Sequence, residues 1–437
     1  MLEKQIREDI IALIGREVIP AVGCTEPAAV ALCCAHAARL IGGADDIDRV
    51  EVNLSGNMLK NAMGVGIPGT GMVGLPIAIA LGTLYGDPGK QLEVLSDITD
   101  ERLAAAKAFI QRKAIDINLK ADAPDVLYIE VKVWSKDGHV AEATIACSHT
   151  HLMHLALDGK EQLAGEEPKA EGEQKAEQKA EATAPKLTLK AVWEFATESP
   201  LDELRFILEA RRLNKNIAEK SFCGHYGHCV GVTLKGQREK AMLGDTIFSH
   251  ILSYTSAACD ARMAGAPLAV MSNSGSGNQG IASTLPVVVY AEETGADEEH
   301  TIRALALSHL TVIYIKQSLG RLSALCGCVV AATGSACGLC YLMGGDYNRV
   351  AATAKNMVAN LTGMICDGAK PGCALKVTSG VSTAVLSALL AMEGHCVESV
   401  EGIVDDDVDR TIGNLARIGR TGMRETDRLI LEIMTSK

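Results

Sequence analysis

The chain has 437 residues, a formal charge of −12, 48% hydrophobic residues and only 3% aromatics, a length that allows two or three domains. An acidic balance without a basic stripe excludes a nucleic-acid surface, and no N-terminal stretch has the charged, apolar and small-residue layout of a secretory signal. The longest apolar runs are interrupted by Gly, Ser, His or Lys, so none reads as a membrane span, and a cytoplasmic protein is expected.

In chain order, residues 1–42 read as helix, break, helix. The apolar positions of IREDIIALIGREVIPAV recur at helical spacing, and GCTEP opens a second apolar helix, AAVALCCAHAARLIG. Cys24 falls at the start of that second helix, with Pro27 in its first turn. A thiol there is drawn toward thiolate by the dipole and the free N–H groups, while Glu26 opposes this. VEVNLS (50–55) alternates as a strand, and VLYIEVKVW (126–134) with HVAEATIAC (139–147) reads as a hairpin around SKDG. LPIAIALGTLYG and ITDERLAAAKAFIQRK read as helices between them. Hairpins imply antiparallel pairing, so the predicted class is α+β, with a mixed α/β N-terminal domain over 1–164. Residues 165–186, GEEPKAEGEQKAEQKAEATAPK, lack large apolar groups and read as a solvated linker or insertion. Residues 187–437 read as a mainly helical domain, within which LPVVVYAEE fits either a strand or a buried helix segment.

Fourteen cysteines in a long chain with this much apolar material read as reduced thiols, not a disulfide framework. Cys33, Cys34, Cys337 and Cys340 lie in apolar helical patterns and read as core. Cys326, Cys366 and Cys373 differ. The last two bracket DGAKPG, a turn that cannot stay helical and can aim both sulfurs at one point, and Cys326 can add a third from a neighbouring helix. Three thiolates around one centre suit zinc or an iron–sulfur cluster, although the spacing is that of neither a zinc ribbon nor a ferredoxin, and buried thiols beside a tight turn are the plainer reading.

SNSGSGNQG (272–280) sets Ser272, Asn273, Ser274, Gly275, Ser276, Gly277 and Asn278 in a run whose backbone N–H groups can turn inward around a carboxylate or phosphate. In SGNMLKN, Asn57 and Lys60 can help hold a substrate carboxylate. PGTGMVGLP has Gly69, Gly71 and Gly74 in dinucleotide-fingerprint spacing, but NMLKNAMGVGIP before it is a poor strand, so that reading is set aside. His149, His151 and His154 in SHTHLMH, and Cys223, His225, His228 and Cys229 in CGHYGHC, lack a standard zinc spacing; hydrogen-bonding or core roles are preferred.

Taken together, GCTEP, SGNMLKNAMGVGIPGTGMVGLPIA, SAACDARMAGA, MSNSGSGNQGI, LSHL, RLSALC and GMICDGAKPGCALK, in this order, resemble the L-cysteine desulfidase family, relatives of the iron–sulfur L-serine dehydratases. The resemblance spans almost the whole chain outside 165–186. It implies an oxygen-labile [4Fe-4S] cluster held by Cys326, Cys366 and Cys373 in the C-terminal domain, with one iron open to substrate and Cys24 acting near that substrate. Cys328 in CGC stands as an alternative to Cys326, and the related dehydratases separate their last two cysteines more widely than Cys366 and Cys373. The reaction implied is β-elimination from a small amino acid, with L-cysteine ahead of L-serine or another β-substituted amino acid. A non-enzymatic metal or redox sensor is the distant alternative, and a homodimer stays open as the assembly.

Overall fold

Stretches with helical spacing and stretches with alternating residues take turns through the first half of the chain, and the elements follow them. In chain order these are α1 (Lys4–Glu17), β1 (Pro20–Val22), α2 (Thr25–Ile41), β2 (Ile47–Leu54) and α3 (Gly56–Ala62). Then come the short strands β3 (Gly66–Ile67) and β4 (Met72–Val73), the helices α4 (Leu75–Tyr85) and α5 (Asp100–Gln111), and β5 (Ile115–Leu119). The series ends with β6 (Tyr128–Ser135), β7 (Val140–Ala146), β8 (Leu152–Leu157) and β9 (Lys160–Ala164). The structure is a computed structural model that describes residues 2–164, 185–320 and 324–436; most of the segment expected to be a linker, 165–186, lies outside the described residues, as does part of RLSALC.

Six strands form one sheet in the order β5-β2-β6-β7-β8-β9. All its pairings are antiparallel except β2 with β5, which runs parallel with Val50 opposite Ile115. Inward residues Val50, Val52, Ile129, Val131 and Ile145 share a core with Ala29, Val30 and Leu32 of α2 and Ile77 and Ile79 of α4. The Ala-rich face of α2 lets helix and sheet approach closely. Cys33 sits in that contact with its thiol toward the Ala143 carbonyl at 3.5 Å, as a core cysteine does.

The second half is helical. The elements that position the site are α6 (Ile247–Met263), β10 (Ala269–Met271), α7 (Gly277–Thr294), α8 (Glu298–Leu319), α9 (Gly327–Leu342), α10 (Cys373–Met392) and α11 (Arg424–Thr435). Leu305, Leu310 and Val312 of α8, Val329 and Val330 of α9, and Val377 and Val381 of α10 meet in one core. LPVVVYAEE proves to be the C-terminal part of α7, an 18-residue helix that runs through Pro286. The fold is therefore α+β with a helical C-terminal region, as the sequence predicts.

Of the described helices, only α10 is long and apolar enough to cross a membrane by length and composition. Its Ala374, Val377, Val381, Ala384 and Ala388 are buried, and Thr378 shares a 2.7 Å hydrogen bond with Ser256 of α6. It packs as an internal helix of the body.

The two halves interlock. Ile10, Leu13 and Ile14 of α1 lie in the helical core, and β1 pairs antiparallel with β10, with Ala21 opposite Val270. That pairing carries Cys24, two residues past β1, to the entrance of the 272–280 loop.

Candidate active site

The three cysteines of the second half are assembled by backbone. Leu325 and Ile365 form an antiparallel bridge: Cys326 N–H donates to the Met364 carbonyl at 2.9 Å and Cys366 N–H to the Ala324 carbonyl at 2.7 Å. Cys373 opens α10 after the DGAKPG turn, its thiol 3.6 Å from the Gly368 carbonyl. Asp367 holds that turn by ion pairs to Lys370 and Lys376, which keep its carboxyl at about 2 against the push of burial. Gly368, at φ +86°, lies so close to α3 that a Cβ would meet the Lys60 carbonyl at 2.1 Å, so the first half presses directly on the turn.

Cys326 and Cys328 lie 3.2 Å apart, which draws the Cys326 thiol below its ordinary value and pushes Cys328 above it. Burial raises Cys366, and raises Cys373 to about 11; each also feels the charge of Cys326. Burial likewise raises Cys259 of α6, which no local pattern singles out, and it too feels the charges of Cys373 and Cys326. Among the described residues no three His, Cys, Asp or Glu side chains converge at the spacing of a single metal ion. The donors are three thiols on a turn and the ends of two structural elements, with the charges of Lys60 and Lys376 bearing on Cys366. Soft thiolates with neighbouring cations fit an anionic iron–sulfur cluster better than a lone ion.

The loop 272–280 is held on both sides. Ser272 N–H donates to the Ile19 carbonyl and Ser274 N–H to the Glu17 carbonyl, both at 2.9 Å. Asn273, fully buried, donates to His309 Nδ1 at 3.0 Å and to the His309 carbonyl at 3.1 Å. Ser274 and Gly275 adopt positive φ, 48° and 77°, and Ser276 caps α7. Gln279, buried, packs against Cα of Gly327, next to Cys326, and its Oε1 has no hydrogen-bond partner among the described residues. The loop thus spans from β1 to the cysteines.

His309, from the LSHL motif, sits at the centre of that anchoring. Nδ1 accepts from Asn273, so Nε2 carries the proton toward Thr284 Oγ1 at 2.9 Å, and burial holds its pKa down at about 3. A depressed histidine contributes stability that is full above about 6.5 and is lost as pH falls toward 3. Between pH 6.5 and 5 the wild type should lose stability with a slope up to about 1.4 kcal/mol per pH unit steeper than His309→Gln. Urea unfolding of both proteins across that window measures the difference, and parallel slopes would contradict a neutral buried His309.

Cys24 stands at the N-cap of α2, half-buried. Arg262, near the end of α6 and only 7% exposed, reaches it: Nη2 donates to Cys24 Sγ at 3.4 Å and to the Gly23 carbonyl at 3.1 Å, while Nη1 donates to Asn278 Oδ1 at 3.2 Å. Burial pushes the Cys24 thiol above its ordinary value, Arg262 pulls it only part of the way back, and Glu26 adds to the upward push. Gly277 makes room for the guanidinium, since a Cβ there would lie 2.2 Å from Arg262 Nε. Arg262 occurs in the SAACDARMAGA motif, but nothing in its local pattern marks it as functional. Pairing across 238 residues of sequence is invisible to local reading.

Asn57 and Lys60 do not join the loop. Lys60 is 5% exposed and forms an ion pair with Asp427 of α11. Both residues line a cleft of about 410 Å³ between α3, the segment before β6 and α11, together with Lys120, Arg424 and Arg428. The ammonium still bears on Cys366, so Lys60 stands behind the cysteine turn. Among the remaining groups, His154 on β8 lies between Glu142 and Glu161. Gly69, Gly71 and Gly74 shape the antiparallel β3–β4 turn and the start of α4 instead of a strand–turn–helix phosphate site. The CGHYGHC loop packs over Asp260, whose Oδ2 accepts the Gly231 N–H at 2.9 Å and whose carboxyl burial raises to about 6. Gly227 of that loop lies beside Pro371 of the cysteine turn.

An α+β chain with thiols gathered on a Gly–Pro turn beside a Ser/Asn/Gly loop belongs to the serine dehydratase alpha chain family, whose sequence pattern matches residues 89–432. The matched region holds Arg262, the 272–280 loop and Cys326, Cys366 and Cys373; Cys24, Asn57 and Lys60 precede it. Among curated relatives, the UPF0597 protein of Bacteroides fragilis is 62% identical over 99% of this chain and 98% of its own length. That of Bacteroides thetaiotaomicron is 61% identical over 100% and 99%, and that of Shewanella pealeana 45% identical over 97% of each. The family places the chain among serine dehydratase-like lyases of amino-acid catabolism.

Proposed function

We propose that the chain is an iron–sulfur-dependent lyase that eliminates the β-substituent of L-cysteine. What supports this most is the convergence of the Cys24 thiol, the 272–280 loop and the three cysteines Cys326, Cys366 and Cys373 through Arg262 and Gln279. Cys326, Cys366 and Cys373 would hold a [4Fe-4S] cluster, which would supply a Lewis acid for the departing group. The remaining tasks fall to the chain. The N-terminus of α7 favours the substrate carboxylate, and Gln279 Oε1, without a hydrogen-bond partner among the described residues, is an acceptor suited to its ammonium. Cys24, as thiolate, takes the Cα proton; the C–H pair becomes the Cα–Cβ double bond, and the Cβ–S pair leaves with sulfur as hydrosulfide. Aminoacrylate then takes up water and yields pyruvate and ammonia.

The family's name favours a second reading, L-serine with hydroxide as leaving group, on the same residues. A thiolate leaving group matches a soft iron–sulfur centre better. Anaerobic purification and reconstitution, followed by iron and sulfide analysis and pyruvate assays with each amino acid, tests both. The expected result is bound iron with pyruvate and sulfide formed from L-cysteine. Turnover of serine alone moves the reading to the dehydratase, and no turnover of either overturns it.

A further inference from the structure

Among the described residues Arg262 is a cation without a fixed anion: its guanidinium is buried, its enclosed Nε has no partner there, and no carboxylate there forms an ion pair with it. Its acceptors are two neutral oxygens, Gly23 O and Asn278 Oδ1, and one ionisable atom, Cys24 Sγ. Taking a guanidinium out of water is costly unless an anion joins it. The site around it is built for that side chain. Gly277 is bare where Nε lies, Gly23 turns its carbonyl toward Nη2 at φ +67°, and Asn278 fixes Nη1. The charged groups facing Cys24 are Arg262 from α6 and Glu26 from its own helix, and only the first favours an anionic sulfur.

We infer that Arg262 is the positioning residue of this site, the counter-ion that offsets the cost of a buried anionic sulfur and so favours the thiolate form of Cys24 beside the 272–280 loop. The inference rests on the lyase reading in assigning proton abstraction to Cys24, but the ion pair itself is a property of the chain. Its chemistry is one proton: Cys24 gives it to solvent when the pair forms, and takes one from the substrate Cα in the reaction. The geometry also ties the base to substrate recognition, because the guanidinium that holds Cys24 holds Asn278 of the loop as well.

The test is the pH profile of Cys24 alkylation by iodoacetamide, read by mass spectrometry of the peptide bearing Cys24, in wild type, Arg262→Lys and Arg262→Met of the full chain. An opposite charge at contact typically moves a thiol by about 1–3 pH units. Arg262→Met should therefore move the profile at least about one unit to higher pH, slowing alkylation at neutral pH about tenfold or more. Arg262→Lys, which keeps the charge, should recover most of that shift. In turnover, Arg262→Met should lower kcat and leave KM within about twofold, since the interaction acts through Cys24. Superimposable profiles overturn the inference, as does a large rise in KM with kcat preserved, which would make Arg262 a receptor for the substrate carboxylate. Should Arg262→Met fail to fold, Asn278→Ala gives the second arm, and a smaller shift in the same direction is expected from it. Absence of turnover in the wild type would sink the lyase reading while the alkylation profiles still decided the ion pair.

Discussion

Serine in place of Cys326 is expected to strip iron from the reconstituted protein and to lower turnover by more than about 100-fold, because even changes outside the ligand shell cost about 10–100-fold in metal affinity or activity. The backbone around the residue should survive the change. Cys326 is held through its N–H to the Met364 carbonyl, a bond that a serine keeps, and a hydroxyl occupies slightly less space than a thiol. Cys328→Ser is the control, since Cys328 Sγ is directed at Met364 Sδ and the Lys376 carbonyl, 3.2 and 3.4 Å away. It should retain iron. The opposite pattern, iron lost from Cys328→Ser and kept by Cys326→Ser, would transfer the ligand role to the neighbour. Iron content and the visible absorbance of anaerobic samples give the answer without an activity assay.

Cys24→Ala is expected to leave iron content unchanged and reduce kcat by roughly 10²–10⁴-fold, the range a positioned general base contributes. Cys24 lies in the first half, at the cap of α2, whereas the other three cysteines are fixed on the 324–373 segment of the second. The two losses should therefore separate cleanly: iron falls with Cys326 and proton transfer with Cys24. A Cys24→Ala protein with full turnover and its cluster intact would assign the base to another group.

Legibility in the sequence followed burial. β2, β6 and β7, at the centre of the sheet, alternate strongly and were predicted within a few residues, whereas β5, β8 and β9 were not read as strands. β5 and β9 are the edges of the sheet, where half-exposed strands need little apolar alternation, and the parallel pairing of β5 with β2 depends on a crossover that local pattern does not encode. The site divided along the same line. Cys366, Cys373 and the 272–280 loop carry Gly, Pro and Ser signals that punctuate a sequence. Arg262 and His309 are ordinary residues in apolar helices, and their importance lies in partners met only after folding, Cys24 and Asn273. Lys60 was legible as a polar residue in a distinctive motif, yet its partner, Asp427, lies 367 residues further on.

The pairing of β1 with β10 sets a schedule for synthesis. The Cys24 thiol leaves the ribosome early, and the guanidinium that pairs with it follows 238 residues later, with the strand that fixes its position close behind. Throughout that interval the growing chain carries the sulfur without the cation that pairs with it or the loop that would present a substrate to it. The partners that place the thiol in a site therefore arrive with the second half of the molecule, in the same interval of translation that delivers Cys326, Cys366 and Cys373, so a prematurely terminated product ending before α6 carries Cys24 as an ordinary cysteine.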